Sequence, residues 1–324
     1  MRFLNAALVA VGLAAPAFCA QAAGPDGYPT KPVTLVVPFA PGGGSDNVAR
    51  LIASRLSERT KASFIVENKA GAGTNIANEA VSRANADGHT LLFGQVTLSI
   101  NPFIYKTLRY NVQKDFVPVA HFAASPTVLV VSQNSPFKTL AEFIAAAKAK
   151  PGKLNYGSGG SGTSVHLAGE LFETLTQTHL VHVPYRGSAP AMTDLIGGQI
   201  EAIFDTAPSA IPHIGGGRVR PLAVTGTKRL AELPNVPTFA EAGVTGFDAP
   251  AWYGVLAPAK TPPALVKYLN AEIQEALKEP ATLQRLNQLG AVPVPGTPED
   301  FGRFIQQESD RWSAVVKKAN VTLD

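Results

Sequence analysis

Two glycine-rich turns in this chain combine backbone amides with hydroxyl side chains, a combination that suits the binding of an anion. The first covers residues 41–46 and consists of Pro41, Gly42, Gly43, Gly44, Ser45 and Asp46. The second covers residues 158–164, with Ser158, Ser161, Gly162, Thr163 and Ser164 as its candidate binding residues. Glycine leaves neighbouring amides uncovered, and a helix that begins there directs its partial positive charge at a ligand. At the first turn, a plain strand-to-helix connection explains the glycines equally well.

Neutral hydrogen-bond donors are unusually frequent where predicted strands end. The hydroxyl groups belong to Ser45, Thr97, Ser158, Ser161, Thr163 and Ser164. A carboxylate that accepts two or three such hydrogen bonds at a helix N-terminus is bound well without a salt bridge. These groups therefore favour recognition of a carboxylate over catalytic turnover.

Residue types that often carry catalysis occur here without their usual partners. The chain contains no G-x-S-x-G sequence. His166 follows Ser164 by two residues, so it either pairs with a serine or is a polar residue at a helix start near the cleft. His179 and His182 flank a predicted strand with no third ligand, which is weak evidence for a metal. Asp205 ends another predicted strand, where it either faces a ligand or caps the next helix.

Residues 157–162 fit the pattern G-x-G-x-x-G, which in dinucleotide-binding enzymes follows a strand and opens a helix. Those enzymes also need an acidic residue at the end of the next strand to bind the ribose, and here Tyr185 and Arg186 occupy that position. Arg186 could bind the phosphorylated ribose of a dinucleotide. However, the N-terminal segment is expected to direct this chain out of the cytoplasm, where such a soluble dinucleotide is rarely available. An enzyme is therefore the less favoured alternative, and we expect no cofactor and no metal.

Residues 1–22 have the pattern of a secretory signal peptide. Arg2 supplies the positive charge, an apolar stretch reaches Phe18, and residues 20–22 form a small-x-small cleavage site. The apolar stretch is short for a membrane anchor, which needs about 20 residues. Cleavage would remove Cys19, the single cysteine, and would change the formal net charge from +4 to +3 because Arg2 is the only charged residue lost. We expect a periplasmic protein without disulfides.

Length and composition predict a globular protein with two domains. The chain has 324 residues, of which 45% are hydrophobic and 16% are charged. Strands predicted at 33–39, 64–67 and 90–93 alternate with helices, and a second series follows the same plan, so we expect parallel, doubly wound α/β sheets. The chain has no concentrated block of Lys and Arg residues that would indicate nucleic acid binding.

Two long apolar segments are the candidates for crossings between the domains. Residues 117–131 are interrupted only by Ser125 and Pro126, and residues 252–258 form a second run. The predicted division is residues 24–125 for the first part of domain 1, 126–253 for domain 2 and 254–324 for the C-terminal part of domain 1. The helical tail is expected to pack on the first domain.

Five segments of the chain together form a highly specific pattern. They read YPTKPVTLVVPFAPGGGSDNVAR, ENKAGAGTNIANEAV, NYGSGGSGTSVHLAGELF, VPYRGSAPAMTDLIGGQIEAIFDT and LPNVPTFAEAGVTGFDAPAWYGVLAPAKTP. Through them the sequence closely resembles the TctC/Bug family of extracytoplasmic solute receptors, the binding components of tripartite tricarboxylate transporters. The resemblance covers essentially the whole mature chain.

The resemblance implies a type II periplasmic binding protein, in which two α/β domains close like a hinge on a small organic carboxylate. The family's grip on the ligand maps onto residues 41–46 and 158–164 of this chain. The remaining cleft residues implied are Gln95, Thr97, His166, Tyr185, Arg186, Gly187, Asp205 and Trp252, with Tyr253 beside it. If Asp205 faces the cleft, it would favour a ligand with an amine or hydroxyl; Arg186 would favour a second carboxylate.

The resemblance also implies partners. A monomeric receptor would deliver its carboxylate ligand to membrane transporter subunits. A receptor that feeds a sensory pathway is the alternative, and it would bind the same ligand without supporting uptake.

Overall fold

The structure is a computed structural model, and it describes residues 24–319. The predicted signal peptide and Cys19 lie outside the described residues. Within residues 24–319, no helix is both long enough and apolar enough to cross a membrane.

The secondary structure of the described residues alternates between strands and helices. The strands are β1 (Val33–Val37), β2 (Phe64–Asn68), β3 (Thr90–Gly94), β4 (Phe116–Ser125), β5 (Thr127–Ser132), β6 (Asn155–Ser158), β7 (Val181–Pro184), β8 (Ala202–Thr206), β9 (Val219–Val224), β10 (Ala251–Pro258) and β11 (Val292–Pro293). The helices are α1 (Gly44–Thr60), α2 (Asn75–Ser82), α3 (Thr97–Ile104), α4 (Val112–Asp115), α5 (Leu140–Ala149), α6 (Ser164–Thr176), α7 (Ser188–Ile196), α8 (Ala207–Gly215), α9 (Pro263–Lys278), α10 (Pro280–Gln288) and α11 (Pro298–Ala319). Short 3₁₀ helices occupy Pro25–Gly27 and Ala72–Thr74.

The strands form two separate sheets. The first has the order β11-β4-β10-β3-β1-β2, and the second has the order β7-β6-β8-β5-β9. We call each sheet with its helices the first and the second unit. The prediction of two α/β units is confirmed. The prediction of parallel sheets is only partly right, because β10 runs antiparallel to β3 and β4, and β5 runs antiparallel to β8 and β9.

The antiparallel strands include those that connect the two units. Strand β4 ends at Ser125 in the first sheet, and β5 begins at Thr127 in the second, so Pro126 lies at the crossing. The long apolar segment is therefore two buried strands in different sheets. Strand β10 returns the chain to the first sheet and begins at Ala251, three residues before the predicted boundary.

Helices cover both faces of the first sheet. Helices α9 and α11 both contact β4, which confirms that the tail packs on the first unit. The predicted apolar stripe of α9 is buried in that core at Leu265, Leu269, Ile273 and Leu277. Because this scaffold fixes where β1, β3, β6 and β8 end, it also fixes the starts of the helices that follow them.

Candidate functional site

The first glycine-rich turn packs directly against the second unit. The amide of Ala40 donates a hydrogen bond to the carbonyl oxygen of Arg186 at 2.9 Å, and Asn47 Nδ2 donates to the carbonyl oxygen of Pro208 at 3.2 Å. A Cβ atom placed on Gly43 would lie 3.6 Å from Ser188 Cβ. The structure therefore shows the two units closed on each other.

A small cavity lies between the units at this contact, and we call it the inner cavity. Its volume of about 20 Å³ holds about one water molecule. It is lined by Phe39, Gly43, Gly44, Ser45, Gln95, Gly159, Thr163, Ser164, Val165, Ser188 and Thr206. None of these lining residues carries a charge, so an ion in this cavity would be held by dipoles and hydrogen bonds.

Four helices from both units begin at the inner cavity. Their N-cap residues are Gly43 for α1, Thr163 for α6, Gly187 for α7 and Thr206 for α8. The glycine N-caps of α1 and α7 have no side chain to cap the helix, and the Thr206 side chain makes no capping hydrogen bond at α8, so amides in those first turns remain available to a ligand. Positive dipole ends that converge on an uncharged cavity favour an anion.

Asp46 supports the first turn from behind and does not line the inner cavity. Its carboxylate accepts three hydrogen bonds, each at 2.9 Å, from the Gly42 amide, Arg50 Nε and Asn68 Nδ2. Burial raises the pKa of the carboxyl, but these hydrogen bonds outweigh it, so the pKa lies below its ordinary value. Pro41 and Gly42 lie at the exposed rim of the turn.

Gln95 joins the first unit's wall through a hydrogen bond from its Nε2 to Ser45 Oγ at 2.5 Å. Because Ser45 Oγ accepts this bond, its own hydrogen is free to be donated into the inner cavity. Thr97 is buried in the first turn of α3 and does not line the inner cavity.

The second glycine-rich turn is held in shape by its own hydroxyl groups. Ser158 Oγ accepts a hydrogen bond from the Gly160 amide at 3.1 Å, and Thr163 Oγ1 donates to the Gly160 carbonyl oxygen at 2.7 Å. Ser158 is fully buried and supports the turn, whereas Thr163 and Ser164 line the inner cavity. Gly162 packs against Ile104 of the first unit.

A pair of stacked histidines supports the second turn from below. The amide of Gly162 donates to His166 Nδ1 at 3.1 Å, and His182 Nε2 lies 2.7 Å from Ser158 Oγ. The two rings stack with their centroids 4.0 Å apart. Burial lowers the pKa of both histidines, that of His182 to about 3, so both rings are neutral near pH 7. His166 therefore positions the turn and lies outside the inner cavity's lining.

Asp205 lies under the second unit's wall. It is fully buried, and its Oδ1 accepts hydrogen bonds from Ser188 Oγ at 2.6 Å and from the Thr206 amide at 2.8 Å. Burial raises the pKa of this carboxyl to about 6, although hydrogen bonds from Ser188, Ser209 and Thr206 act in the opposite direction. Asp205 does not line the inner cavity, but the residues it holds, Ser188 and Thr206, do.

A larger pocket of about 390 Å³ opens beside the inner cavity, and we call it the outer pocket. The two share Phe39 and Gly159 in their walls. Three predicted residues line the outer pocket: Ser161, Tyr185 and Arg186. The Tyr185 hydroxyl donates to Asp194 Oδ2 at 2.7 Å, whereas Arg186 is exposed.

Gly187 fits closely under the first unit at the edge of this site. Its φ is +134°, and a Cβ atom on it would lie 3.1 Å from the Ala40 amide nitrogen. Only glycine tolerates both the conformation and the approach. Gly187 therefore allows the two units to close without contributing a side chain.

Comparison with known proteins shows which family this chain belongs to. The family model TctC, described as the tripartite tricarboxylate transporter family receptor, matches residues 48–321. The chain belongs to this family. The prediction of a solute receptor rather than an enzyme is confirmed, because the TctC family consists of transporter receptors.

Solved structures of similar proteins agree with the family assignment. The periplasmic binding protein BugD has a TM-score of 0.88 at 34% identity, covering 91% of this chain and 99% of that one. An R. palustris protein solved with adipate has a TM-score of 0.88 at 40% identity, covering 91% and 99%. MatC from Rhodopseudomonas palustris, solved with bound malate, has a TM-score of 0.84 at 34% identity, covering 89% and 100%. The periplasmic binding protein fold predicted from the sequence is confirmed.

In this TctC-family chain, the structure does not place Trp252 with the other predicted site residues. Its ring is only 2% exposed and packs edge-on against Phe301 and Phe304 of α11. Tyr253 is fully buried on the opposite face of β10. Adjacent residues of a strand point to opposite faces, and both faces of this sheet are covered, so neither ring reaches the inner cavity.

Four lining residues of the inner cavity lie outside the predicted set, and they are Phe39, Val165, Ser188 and Thr206. Gly159 also lines the cavity and lies within the predicted turn at residues 158–164. A signal existed for two of them: Ser188 and Thr206 are hydroxyl residues that begin or cap a helix directly after a strand and its turn. The same pattern led to Ser45 and Thr163, and it would have found these two as well.

Proposed function

We propose that this chain is a periplasmic receptor that captures a small organic carboxylate between its two units and delivers it to a membrane transporter. One observation carries the proposal: four helix N-termini from both units converge on a cavity that no charged residue lines. A carboxylate there would accept hydrogen bonds from amides and hydroxyl groups of both units at once. The related proteins solved with adipate and with malate support this ligand class.

The two pockets suggest how a ligand is divided between them. One carboxylate group would enter the inner cavity as the units close around it, and the rest of the ligand would extend past Phe39 and Gly159 into the outer pocket. There the exposed guanidinium of Arg186 is available to a second carboxylate. A dicarboxylate therefore fits the pair of pockets better than a monocarboxylate.

Binding requires the units to open and close, because the inner cavity, at about 20 Å³, is too small to admit a ligand in the closed state. The proposed domains are residues 24–125 with 254–324, and 126–253, with the crossings near Pro126 and before β10 as the hinge. A ligand that bridges both units stabilises closure only by the amount that it binds the closed form more tightly.

The family places the receptor outside the cytoplasm, and the finer assignments belong to this proposal. Removal of residues 1–22 would release a monomeric protein into the periplasm. Membrane transporter subunits would then recognise its closed form. A sensory partner in place of a transporter remains the alternative use of the same binding event.

A thermal-shift screen of the signal-free protein tests the proposal. The panel holds aliphatic and aromatic mono-, di- and tricarboxylates, including adipate and malate, with NADP as the control for a dinucleotide site. A ligand at a hundred times its Kd adds about 2.7 kcal/mol to the free energy of unfolding, so the midpoint rises measurably. We expect at least one dicarboxylate to raise it and NADP to leave it unchanged.

The protein is unfolded in guanidinium and refolded by dialysis before the screen, so that a ligand carried through purification is removed. A shift with NADP alone would contradict the receptor assignment. The absence of any shift across the carboxylates after refolding would contradict carboxylate capture.

A further inference from the structure

The segment between β2 and α2 contains four consecutive residues with positive φ angles, and we call it the 71–74 turn. The angles are +130° at Gly71, +47° at Ala72, +55° at Gly73 and +79° at Thr74. A positive φ is unfavourable for a residue with a side chain, and for a β-branched residue such as threonine it is rare. Such a conformation persists only where the surrounding structure enforces it, and it often occurs at functional sites.

The 71–74 turn belongs to the first unit's wall of the outer pocket. All four of its residues line that pocket, and Ser161, Tyr185 and Arg186 line it from the second unit. The turn also lies directly against the second unit, since a Cβ atom on Gly73 would be 2.9 Å from the carbonyl oxygen of Ser161. Its conformation therefore affects both the shape of the outer pocket and the fit between the closed units.

Asn101 of α3 holds the 71–74 turn from behind. Its Nδ2 donates hydrogen bonds to the Gly73 carbonyl oxygen at 2.8 Å and to Asn75 Oδ1 at 2.7 Å, and it lies 3.4 Å from Thr74 Oγ1. Because a carbonyl oxygen only accepts hydrogen bonds, the amide of Asn101 must direct its nitrogen at the turn. Asn101 is fully buried, so this support is part of the packed fold.

Two neighbouring side chains complete the hydrogen-bond network around the turn. The Tyr110 hydroxyl donates to Asn75 Oδ1 at 2.7 Å, and Asn78 Nδ2 donates to the Tyr110 hydroxyl at 2.9 Å and to Thr74 Oγ1 at 3.2 Å. These bonds join side chains, whereas Asn101 bonds to the backbone of the turn itself. Asn101 is therefore the member of this network that acts most directly on the backbone conformation.

We propose that Asn101 is a positioning residue for ligand capture, which holds the 71–74 turn in the conformation that closes the outer pocket. The inference rests on the proposed function and adds to it a residue that lines neither pocket. The fold, rather than the ligand, supplies the free energy that the unfavourable backbone requires, and such preorganisation raises affinity. Without Asn101 the turn would relax, and the ligand would have to reorder it during closure.

Calorimetric titration of Asn101→Ala tests this role, with adipate, malate and any other panel carboxylate that binds the wild type. Alanine is a good helix former, so α3 should be retained. We expect the affinity to fall by about tenfold, which corresponds to about one well-made hydrogen bond. Asn101→Leu, which is similar in size to the wild-type residue and has no donor, is the second variant and should show the same loss.

Asn270→Ala is the matched control for a general loss of stability. Asn270 of α9 also donates from Nδ2 to two carbonyl oxygens, those of Val119 at 2.8 Å and Gly296 at 3.1 Å. It lines neither the inner cavity nor the outer pocket. Its removal should lower the melting temperature and leave the affinity of the wild type unchanged.

A substitution in the turn distinguishes positioning from a direct effect of Asn101 on closure. Such an effect is conceivable, since a Cβ atom on Gly162 of the second unit would lie 3.2 Å from Asn101 Oδ1. Thr74→Gly makes the positive φ favourable, because glycine adopts it readily. When position 74 is glycine, Asn101→Ala should therefore lower the affinity by only about twofold, instead of about tenfold with threonine. Melting temperatures verify that each variant folds.

Each outcome separates this inference from the proposed function. Unchanged affinity in a folded Asn101→Ala or Asn101→Leu protein would overturn the inference while leaving carboxylate capture intact. An equal loss with threonine and with glycine at position 74 would overturn the action through the turn, and so would an equal loss in Asn270→Ala. If no panel carboxylate bound the wild type, the proposed function and this inference would fail together.

Discussion

Replacing Gly44 with valine should abolish ligand binding while leaving a folded protein. A Cβ atom on Gly44 would lie 2.3 Å from Thr206 Oγ1 and 3.1 Å from the Ser209 amide nitrogen, across the contact between the units. The threonine hydroxyl can rotate away, but the backbone of α8 cannot. We expect the units to be held apart and the affinity for any panel ligand to fall by about 100-fold or more, measured by calorimetry.

The matched control is Gly43→Ala, one residue earlier in the same turn. A Cβ atom on Gly43 would make only ordinary contacts, at 3.6 Å from Ser188 and Ala189, and its φ of −84° suits any residue. Its affinity should fall much less than that of Gly44→Val, since the added methyl group meets only ordinary van der Waals contacts and does not hold the units apart. Unchanged binding by Gly44→Val would show that the inner cavity is not where closure and binding meet.

Acidification should destabilise the protein through the stacked histidines. Burial lowers the pKa of His182 to about 3 and also lowers that of His166. The unfolded chain binds a proton at each histidine below pH 6.5, while the folded protein does not. The free energy of unfolding should therefore fall as pH decreases from 6.5 towards 3, by up to about 1.4 kcal/mol per pH unit from His182, and His166 contributes a loss in the same direction.

The charged and titratable groups that face the pair are Glu170, whose carboxylate lies 3.6 Å from His166 Nε2, and Tyr156, which stacks on His182. Urea unfolding across this pH range would be compared for the wild type and His182→Gln, which should show a shallower loss. Thr193→Ala, an exposed substitution on α7, keeps both histidines and their contacts and should retain the wild-type slope. Because burial raises the pKa of Asp205 to about 6, its contribution to the free energy of unfolding changes with pH in the opposite direction to that of the histidines. This contribution is the same in all three proteins, so it cancels when their slopes are compared. Equal slopes for the wild type and His182→Gln would contradict a neutral buried His182.

The two glycine-rich turns could be predicted from the sequence because their signals are local. A buried strand, a glycine cluster and a helical apolar pattern occupy consecutive residues, so the chain itself reveals the helix N-terminus. Thr163 and Ser164 were found in this way, and the structure places both in the inner cavity. The first crossing was also visible, because an apolar segment about twice the length of a strand, residues 117–131, must contain more than one strand.

Side-chain direction could not be predicted in the same way. Asp46 follows the glycines directly, yet Arg50 and Asn68 hold its carboxylate behind the turn. Trp252 lies next to the crossing, but α11 supplies an aromatic partner for it from a distant part of the sequence. Asp205 accepts a hydrogen bond from Ser188, a contact that depends on β8 and α7 being neighbours. Such contacts depend on the tertiary fold, which local patterns do not encode.

Capture between the two glycine-rich turns is tested most directly by a crystal structure of the protein with the carboxylate that raises its melting temperature most. We expect one carboxylate group in the inner cavity, within hydrogen-bond distance of amides at the start of α1 and α6, with Ser45 as a donor. The ligand's other end should lie in the outer pocket near Arg186. A ligand found instead in the groove of about 440 Å³ between α3, α4 and α11 would contradict this mode of capture, since that groove touches neither glycine-rich turn.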